Sequence, residues 1–273
     1  MDPTLPPWTP LPSIRNLRDA GGYATTTPGT SVRRGLLYRS AAPQQLTGDG
    51  VATFTALGIK AVFDLRSPKE ILDHPAMPPL DYLPDVTYTP IAVFAGGWSP
   101  EAMLLRYQDY LSGTPLGNYI HILRALPGAM KPVIAHILAA PAAPVLIHCS
   151  AGKDRTGVMI ALLLSLAGMP DQAVAEEYAL TQVAMSVMMQ TMGTRVREMG
   201  VFKTVEAQGL AVSDEMVWNL LSARPETMLG LLGVVREESG GVEEWFVKEC
   251  GMAPDEVDRL KAALSVEDDG VAN

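Results

Sequence analysis

The stretch "HCSAGKDRTG", His148 to Gly157, sets a cysteine and an arginine on either side of five residues. It follows "APVLI", a short β-rich run bounded by Pro144, and precedes a long aliphatic segment with helical character. A strand ending at His148 delivers Cys149 to the C-terminal edge of a sheet, where α/β proteins bind ligands. The loop amides of Ser150, Ala151, Gly152, Lys153 and Asp154 can converge there, and the following helix points its positive end back at them. Such a nest binds an anion and favours the thiolate form of a cysteine at its centre. Arg155 adds a planar fork matched to two oxygens of a tetrahedral oxyanion. Thr156, at the helix start, is either a hydrogen-bond donor to the thiolate or a simple cap.

Other uses of these residues fail on spacing. The second cysteine, Cys250, lies about a hundred residues away, so Cys149 has neither a redox partner nor a zinc site beside it. A nucleotide P-loop requires glycine five residues before the Gly-Lys pair and then Ser or Thr. Ile147 and Asp154 stand in those places.

The surrounding elements alternate between strand and helix. "RRGLLYRS", "IKAVFDLRS", "DVTYTPIAVF" and "APVLIHC" read as strands, and "LTGDGVATFTALG" as a helix between the first two. Further helical patterns cover Glu101–Leu111 and Asn118–Ala140, the latter interrupted at Pro127 and Pro132. The alternation predicts an α/β fold with a central, mostly parallel sheet flanked by helices. The last hundred residues read as helices at about 171–181, 184–199, 213–222, 225–238, 241–250 and 254–265, a helical extension of the same domain. We expect a flexible proline-rich arm over 1–12, a single domain over 13–265 and an acidic tail over 266–273.

The 273-residue chain is 48% hydrophobic and 19% charged, a globular composition. No apolar run is long enough for a membrane helix, and no signal peptide is apparent, so a cytoplasmic protein without an integral membrane segment is expected. The net charge of −9 argues against nucleic-acid partners. Residues 1–40, with five arginines against Asp2 and Asp19, are locally basic. That suits an anionic substrate that must approach an acidic protein.

At "HCSAGKDRTG" the sequence resembles the cysteine-based phosphatases. More narrowly, it resembles the tyrosine/serine protein phosphatase family that includes mycobacterial members. "NLRDAGGY" (Asn16–Tyr23), "RRGLLYRS" (Arg33–Ser40) and "VFDLRSPKE" (Val62–Glu70) carry the same likeness, over roughly residues 13 to 265. The resemblance implies a dual-specificity phosphatase that works through a phosphocysteine on Cys149, with Arg155 and the loop amides holding the equatorial oxygens. It implies no metal or organic cofactor. Phosphorylated proteins are the implied substrates, and Lys153 extends them to phosphoinositides. His148 would orient the cysteine loop, Asp19 and Arg18 would brace the site from below, and Arg39 would contact the residues that touch substrate.

The leaving oxygen needs a proton donor. Asp64, at the end of a predicted strand and in the family's "DLR" segment, is the first choice. One alternative is that Asp64 pairs with Arg66 and only caps a turn; Asp154, inside the loop, is the alternative acid, and Asp109 is a further candidate. Met185, Met188, Met189 and Met192 form a helical stripe whose default use is core packing; the resemblance implies a helical lid in this part of the chain, and residues about 183–222 are expected as that mobile lid. The competing readings are a phosphate-binding module without turnover and, less well matched in its loop, a rhodanese-type sulfurtransferase.

Overall fold

The computed structural model describes residues 7–96, 108–109, 113, 115–192, 200–207, 209 and 211–267. The strands in chain order are β1 (Arg18–Asp19), β2 (Thr30–Val32), β3 (Leu37–Ser40), β4 (Ala61–Asp64), β5 (Thr87–Pro90), β6 (Val145–His148) and β7 (Ser265–Glu267). Five of them form the central sheet in the order β1-β3-β6-β4-β5, all parallel except the antiparallel edge strand β1. The remaining pair, β2 and β7, ties the end of the described chain to its beginning.

Alternation along each strand sorts the apolar residues onto two faces. Leu37, Ala61, Phe63, Val145 and Ile147 enter the larger core, and Tyr38, Val62 and Leu146 enter the smaller. The smaller core is covered by α1 (Asp49–Ala56) through Phe54, and by Leu80 and Leu83 of the connection that follows α2 (Pro68–Asp73). The larger is built from α3 (Leu116–Ala125), α4 (Pro127–Ala139), α5 (Asp154–Leu166) and α6 (Asp171–Ala179). The helices α7 (Thr181–Met192), α8 (Gly200–Ala207), α9 (Asp214–Leu221), α10 (Pro225–Ser239), α11 (Val242–Cys250) and α12 (Pro254–Leu264) follow, and α10 to α12 complete the larger core. Apolar on all sides, α5 is surrounded by other elements, as such a helix must be.

The register aligns the C-terminal edge of the sheet. Ser40, Asp64 and His148 are direct neighbours across β3, β6 and β4, so three loops leave the sheet at one level.

Several expectations need correction. Pro127 does end one helix and begin another, at an angle of 61°, but Pro132 sits inside α4. It falls early in the helix, where it forfeits one backbone bond while Met130, Val133, Ile134 and Ile137 are buried around it. The arm is fastened from Trp8 onward: Trp8 and Leu11 are buried, and the Arg18 guanidinium lies 5.0 Å from the Trp8 ring centre. At the other end, Val266 and Glu267 pair with Ser31 and Thr30 and do not begin a free tail. The expected helix Glu101–Leu111 lies outside the described residues apart from Gln108 and Asp109, which are helical.

Leu162, fully buried at the centre of α5, should be worth about 3 kcal/mol on truncation to alanine. Urea unfolding measures this, and a loss below about 1 kcal/mol would contradict the central placement of α5.

Candidate active site

The loop after β6 is held open by hydrogen bonds from behind. The carbonyl of Ser150 accepts from the Ala42 amide at 3.1 Å. The carbonyls of Ala151 and Gly152 accept from Asn16 Nδ2 at 3.3 and 3.1 Å, and Gly152 also accepts from Arg39 Nη2 at 2.9 Å. Across a trans peptide, carbonyl and following amide point in opposite directions. Pinning these three carbonyls outward therefore turns the amides of Ala151, Gly152 and Lys153 the other way, into the concavity that begins at Cys149. Gly152 has φ +65°, and a side chain there would collide with the Ser40 carbonyl, so glycine is required.

Arg39 is itself fixed by a buried network. Its Nη1 lies 2.6 Å from Glu177 Oε2, and Arg18 Nε lies 2.7 Å from Glu177 Oε1. Arg18 also donates to Asn16 Oδ1 and to Thr181 Oγ1, so one carboxylate steers both loop-holding residues. Burial would push the Glu177 carboxyl up, but the two guanidinium groups outweigh it and hold the group below its ordinary value. Asp19 is further back, where it accepts from the Gly21 and Gly35 amides at 2.8 and 2.7 Å and closes the β1–β3 turn.

Cys149 is 2% exposed at the base of the concavity. Arg155 forms a two-pronged pair with Glu70, Nη1 to Oε2 and Nη2 to Oε1, both at 2.7 Å. Glu70 also accepts from Ser150 Oγ at 3.0 Å and from the Ser67 amide at 2.9 Å as part of a capping box. Burial raises the Glu70 carboxyl, but the Arg155 bonds and charge overcome it and bring the group down to about 2. Glu70 is a site residue that the local sequence pattern does not assign to Arg155. Its signal was the Ser-x-x-Glu spacing after a strand, which marks a helix start pointed at this sheet edge.

The two aspartates occupy different environments. Asp64 is 0% exposed. It receives Arg66 Nη2 at 2.7 Å, Arg66 Nε at 3.0 Å, the Arg66 amide at 2.9 Å and the Tyr88 hydroxyl at 2.8 Å. Burial pushes its carboxyl up, while His148 and Arg66 pull it down further, leaving it below its ordinary value. Burial also lowers His148, against the pull of the Asp64 charge. A carboxylate so paired is a poor proton donor, and the geometry weighs against Asp64 as the acid. Asp154 stands within the loop itself, 7% exposed, with the Tyr119 hydroxyl at 2.8 Å and Lys153 Nζ at 3.2 Å from its Oδ1. Asp109 accepts from the Asn118 amide at the start of α3, a capping position.

Lys153 does not extend the positive loop in this arrangement. Its ammonium is buried and donates to the Leu220 and Ser222 carbonyls at 2.5 and 3.1 Å, at the end of α9. Ala151 packs beside the small apolar cluster of Met185, Phe202, Val217, Leu220 and Leu221 from α7, α8 and α9. The side chains of Met188, Met189 and Met192 lie outside the described residues. His148 Nδ1 is 3.3 Å from the Cys149 carbonyl, which makes Nδ1 the protonated nitrogen. Thr156 Oγ1 is buried without a hydrogen-bond partner among the described residues. No group of three His, Cys, Asp or Glu side chains among them is placed to hold a metal ion, and no single helix is long and apolar enough to cross a membrane.

The model of the tyrosine phosphatase family matches residues 9–266, and the chain belongs to that family. Among its relatives, a tyrosine-protein phosphatase of Nostoc commune is 31% identical over 166 residues, covering 59% of this chain and 54% of the relative. The chain thus spans about half the length of that protein. The triple specificity protein phosphatase PtpB of Mycobacterium tuberculosis is 31% identical over 192 residues, 62% of this chain and 67% of the relative. Among solved structures, TpbA of P. aeruginosa matches 68% of this chain and 96% of its own, at 19% identity and a TM-score of 0.31.

Replacing Glu70 by glutamine should leave Arg155 without its carboxylate. The expected cost is about 2 kcal/mol of stability and a fall of about tenfold or more in kcat/KM for an aryl phosphate. Because Glu70 is depressed on folding, its contribution is complete above the ordinary pKa of 4.5 and lost as pH falls toward 2. Urea midpoints of wild type and Glu70→Gln should therefore converge below pH 4.5. A gap that stays constant across that range would contradict the pairing.

Proposed function

We propose that the chain is a protein tyrosine phosphatase that hydrolyses phosphomonoesters through a cysteinyl-phosphate intermediate. The observation that carries this is the loop with its carbonyls pinned outward, its amides inward, Cys149 at its base and Arg155 held at its side. Cys149 Sγ attacks phosphorus, forming a P–S bond as the bond to the leaving oxygen breaks. The loop amides and Arg155 hold the three equatorial oxygens as charge shifts. Asp154 gives its proton to the leaving oxygen and becomes a carboxylate. It then takes a proton from the attacking water, the P–S bond breaks, and inorganic phosphate leaves with the thiolate restored. His148 and the Asp64–Arg66 pair keep the end of β6 in register. The chemistry needs Cys149 reduced, which suits the cytoplasm.

Proteins phosphorylated on tyrosine are the proposed substrates. Phosphoinositides are a second class, and Lys153 serves them only if α9 releases its ammonium. In that reading α7 to α9 act as the lid, with their separate small apolar cluster and the Lys153 bonds as its fastenings.

Turnover of an aryl phosphate without metal, from pH 4.5 to 8, tests the roles. Cys149→Ser should abolish it. Asp154→Asn should slow it by about a hundredfold and flatten the basic limb of the profile. Asp64→Asn should lower stability but retain the limb. Turnover surviving in Cys149→Ser would sink the covalent route. Vanadate binding with no turnover in the wild type would favour a phosphate-binding module.

A further inference from the structure

Resting on the reading of the loop as a phosphate cradle, we infer that Asn16 is a positioning residue for phosphoryl transfer. Arg18 sets the direction of its carboxamide, so that N–H groups and not an oxygen face the loop. Asn16 is 5% exposed and has φ +59°, a left-handed conformation that asparagine tolerates better than most side chains. The backbone around it is fastened. The Arg15 carbonyl accepts from the Ala41 amide at 2.9 Å, and the Asn16 carbonyl accepts from Arg18 Nη1 at 3.4 Å.

A carboxamide has an oxygen at one end and two N–H at the other, in nearly the same shape. Its partners therefore decide which way it points. Arg18 Nη1 also donates to Asn16 Oδ1. A guanidinium has five N–H donors and no acceptor, so it can meet only the oxygen end. Nδ2 is thereby turned to the loop, where its hydrogens face the carbonyls of Ala151 and Gly152 at 3.3 and 3.1 Å. One neutral side chain thus fixes two successive peptides, and the amides of Gly152 and Lys153 face the concavity.

Arg18 is in no position to turn. Nε donates to Glu177 Oε1 at 2.7 Å, and Nη1 to the carbonyl and Oδ1 of Asn16. Nη2 donates to the Glu177 carbonyl at 3.1 Å and to Thr181 Oγ1 at 3.0 Å. These acceptors match its five N–H groups one for one. The group is fully buried, with the Trp8 ring centre 5.0 Å away. Aspartate in place of Asn16 would keep an oxygen for Arg18. Its second oxygen would stand against the Ala151 and Gly152 carbonyls with no hydrogen to give them, so those peptides would have to turn over.

Tungstate is a tetrahedral oxyanion that needs no bond to sulfur, so calorimetry with it reads the cradle apart from turnover. Asn16→Gly relieves the backbone and removes both N–H groups. It should weaken tungstate about tenfold, the loss of two hydrogen bonds, and lower kcat/KM for an aryl phosphate by a similar factor. Asn16→Ser, with one hydrogen to give, should lose less, and it supplies the measurement if Asn16→Gly does not fold. In crystals of Asn16→Asp, the Ala151 and Gly152 carbonyls should point into the concavity. Arg18→Lys keeps a cation beside Glu177 but loses the fork. It should weaken tungstate about fivefold alone and less than about twofold when added to Asn16→Gly. Unchanged tungstate affinity without the Asn16 side chain, carbonyls that hold their direction in Asn16→Asp, or equal losses from Arg18→Lys in both backgrounds would overturn the inference. The wild type keeps the two levels apart. Tungstate bound without turnover would end the phosphatase reading while the variants still decide the role of Asn16. No tungstate bound would remove the cradle, and the inference with it.

Discussion

The site depends on hydrogen bonds made behind it. Ala42, Asn16 and Arg39 draw three successive loop carbonyls away from the concavity, and each bond so made turns an amide toward it. Without them the peptides at Ala151 to Lys153 could flip, and an anion would meet carbonyl oxygens in place of N–H groups. The cost of holding that geometry is met before any substrate arrives, which is what preorganised electrostatic stabilisation requires. Glu177 secures the arrangement from a single buried position, because both Arg18 and Arg39 end on its carboxylate.

Charge around the loop is arranged in pairs. Arg155 faces Glu70, Arg66 faces Asp64, Lys153 lies against Asp154, and Arg18 and Arg39 share Glu177. Glu177 alone serves two guanidinium groups, so five cations here meet four carboxylates. The pairs also separate two aspartates that are equivalent as letters. The Arg66 guanidinium meets Asp64 at both oxygens, whereas Asp154 meets the Tyr119 hydroxyl and the buried Lys153 ammonium at Oδ1.

Much of this was legible in the chain. The apolar runs ending at Ser40, Asp64 and His148 mark parallel strands, and "HCSAGKDRTG" marks the strand, loop and helix that carry Cys149 and Arg155. The pairing of Asp64 with Arg66 was visible as an alternative, since the two lie two residues apart. Partners far apart in sequence were not legible. Glu177 stands 159 residues from Arg18, and Glu70 stands 85 from Arg155, so no local pattern joins them. The destination of Lys153 was equally hidden, because the α9 carbonyls that receive it belong to a distant helix. Strands of two or three residues, such as β1, β2 and β7, are too short to carry a period. Pro132 misled because its cost depends on where in the helix it falls.

The most direct test of the preformed cradle is a crystal structure with orthovanadate, which takes the five-coordinate geometry of the transferring phosphoryl group. The account predicts vanadium on Cys149 Sγ, equatorial oxygens on the loop amides and Arg155, and an apical oxygen beside Asp154. The Ser150, Ala151 and Gly152 carbonyls should keep their partners behind the loop. A loop that has to turn its peptides over to accept the ion, or an apical oxygen beside Asp64, would contradict it.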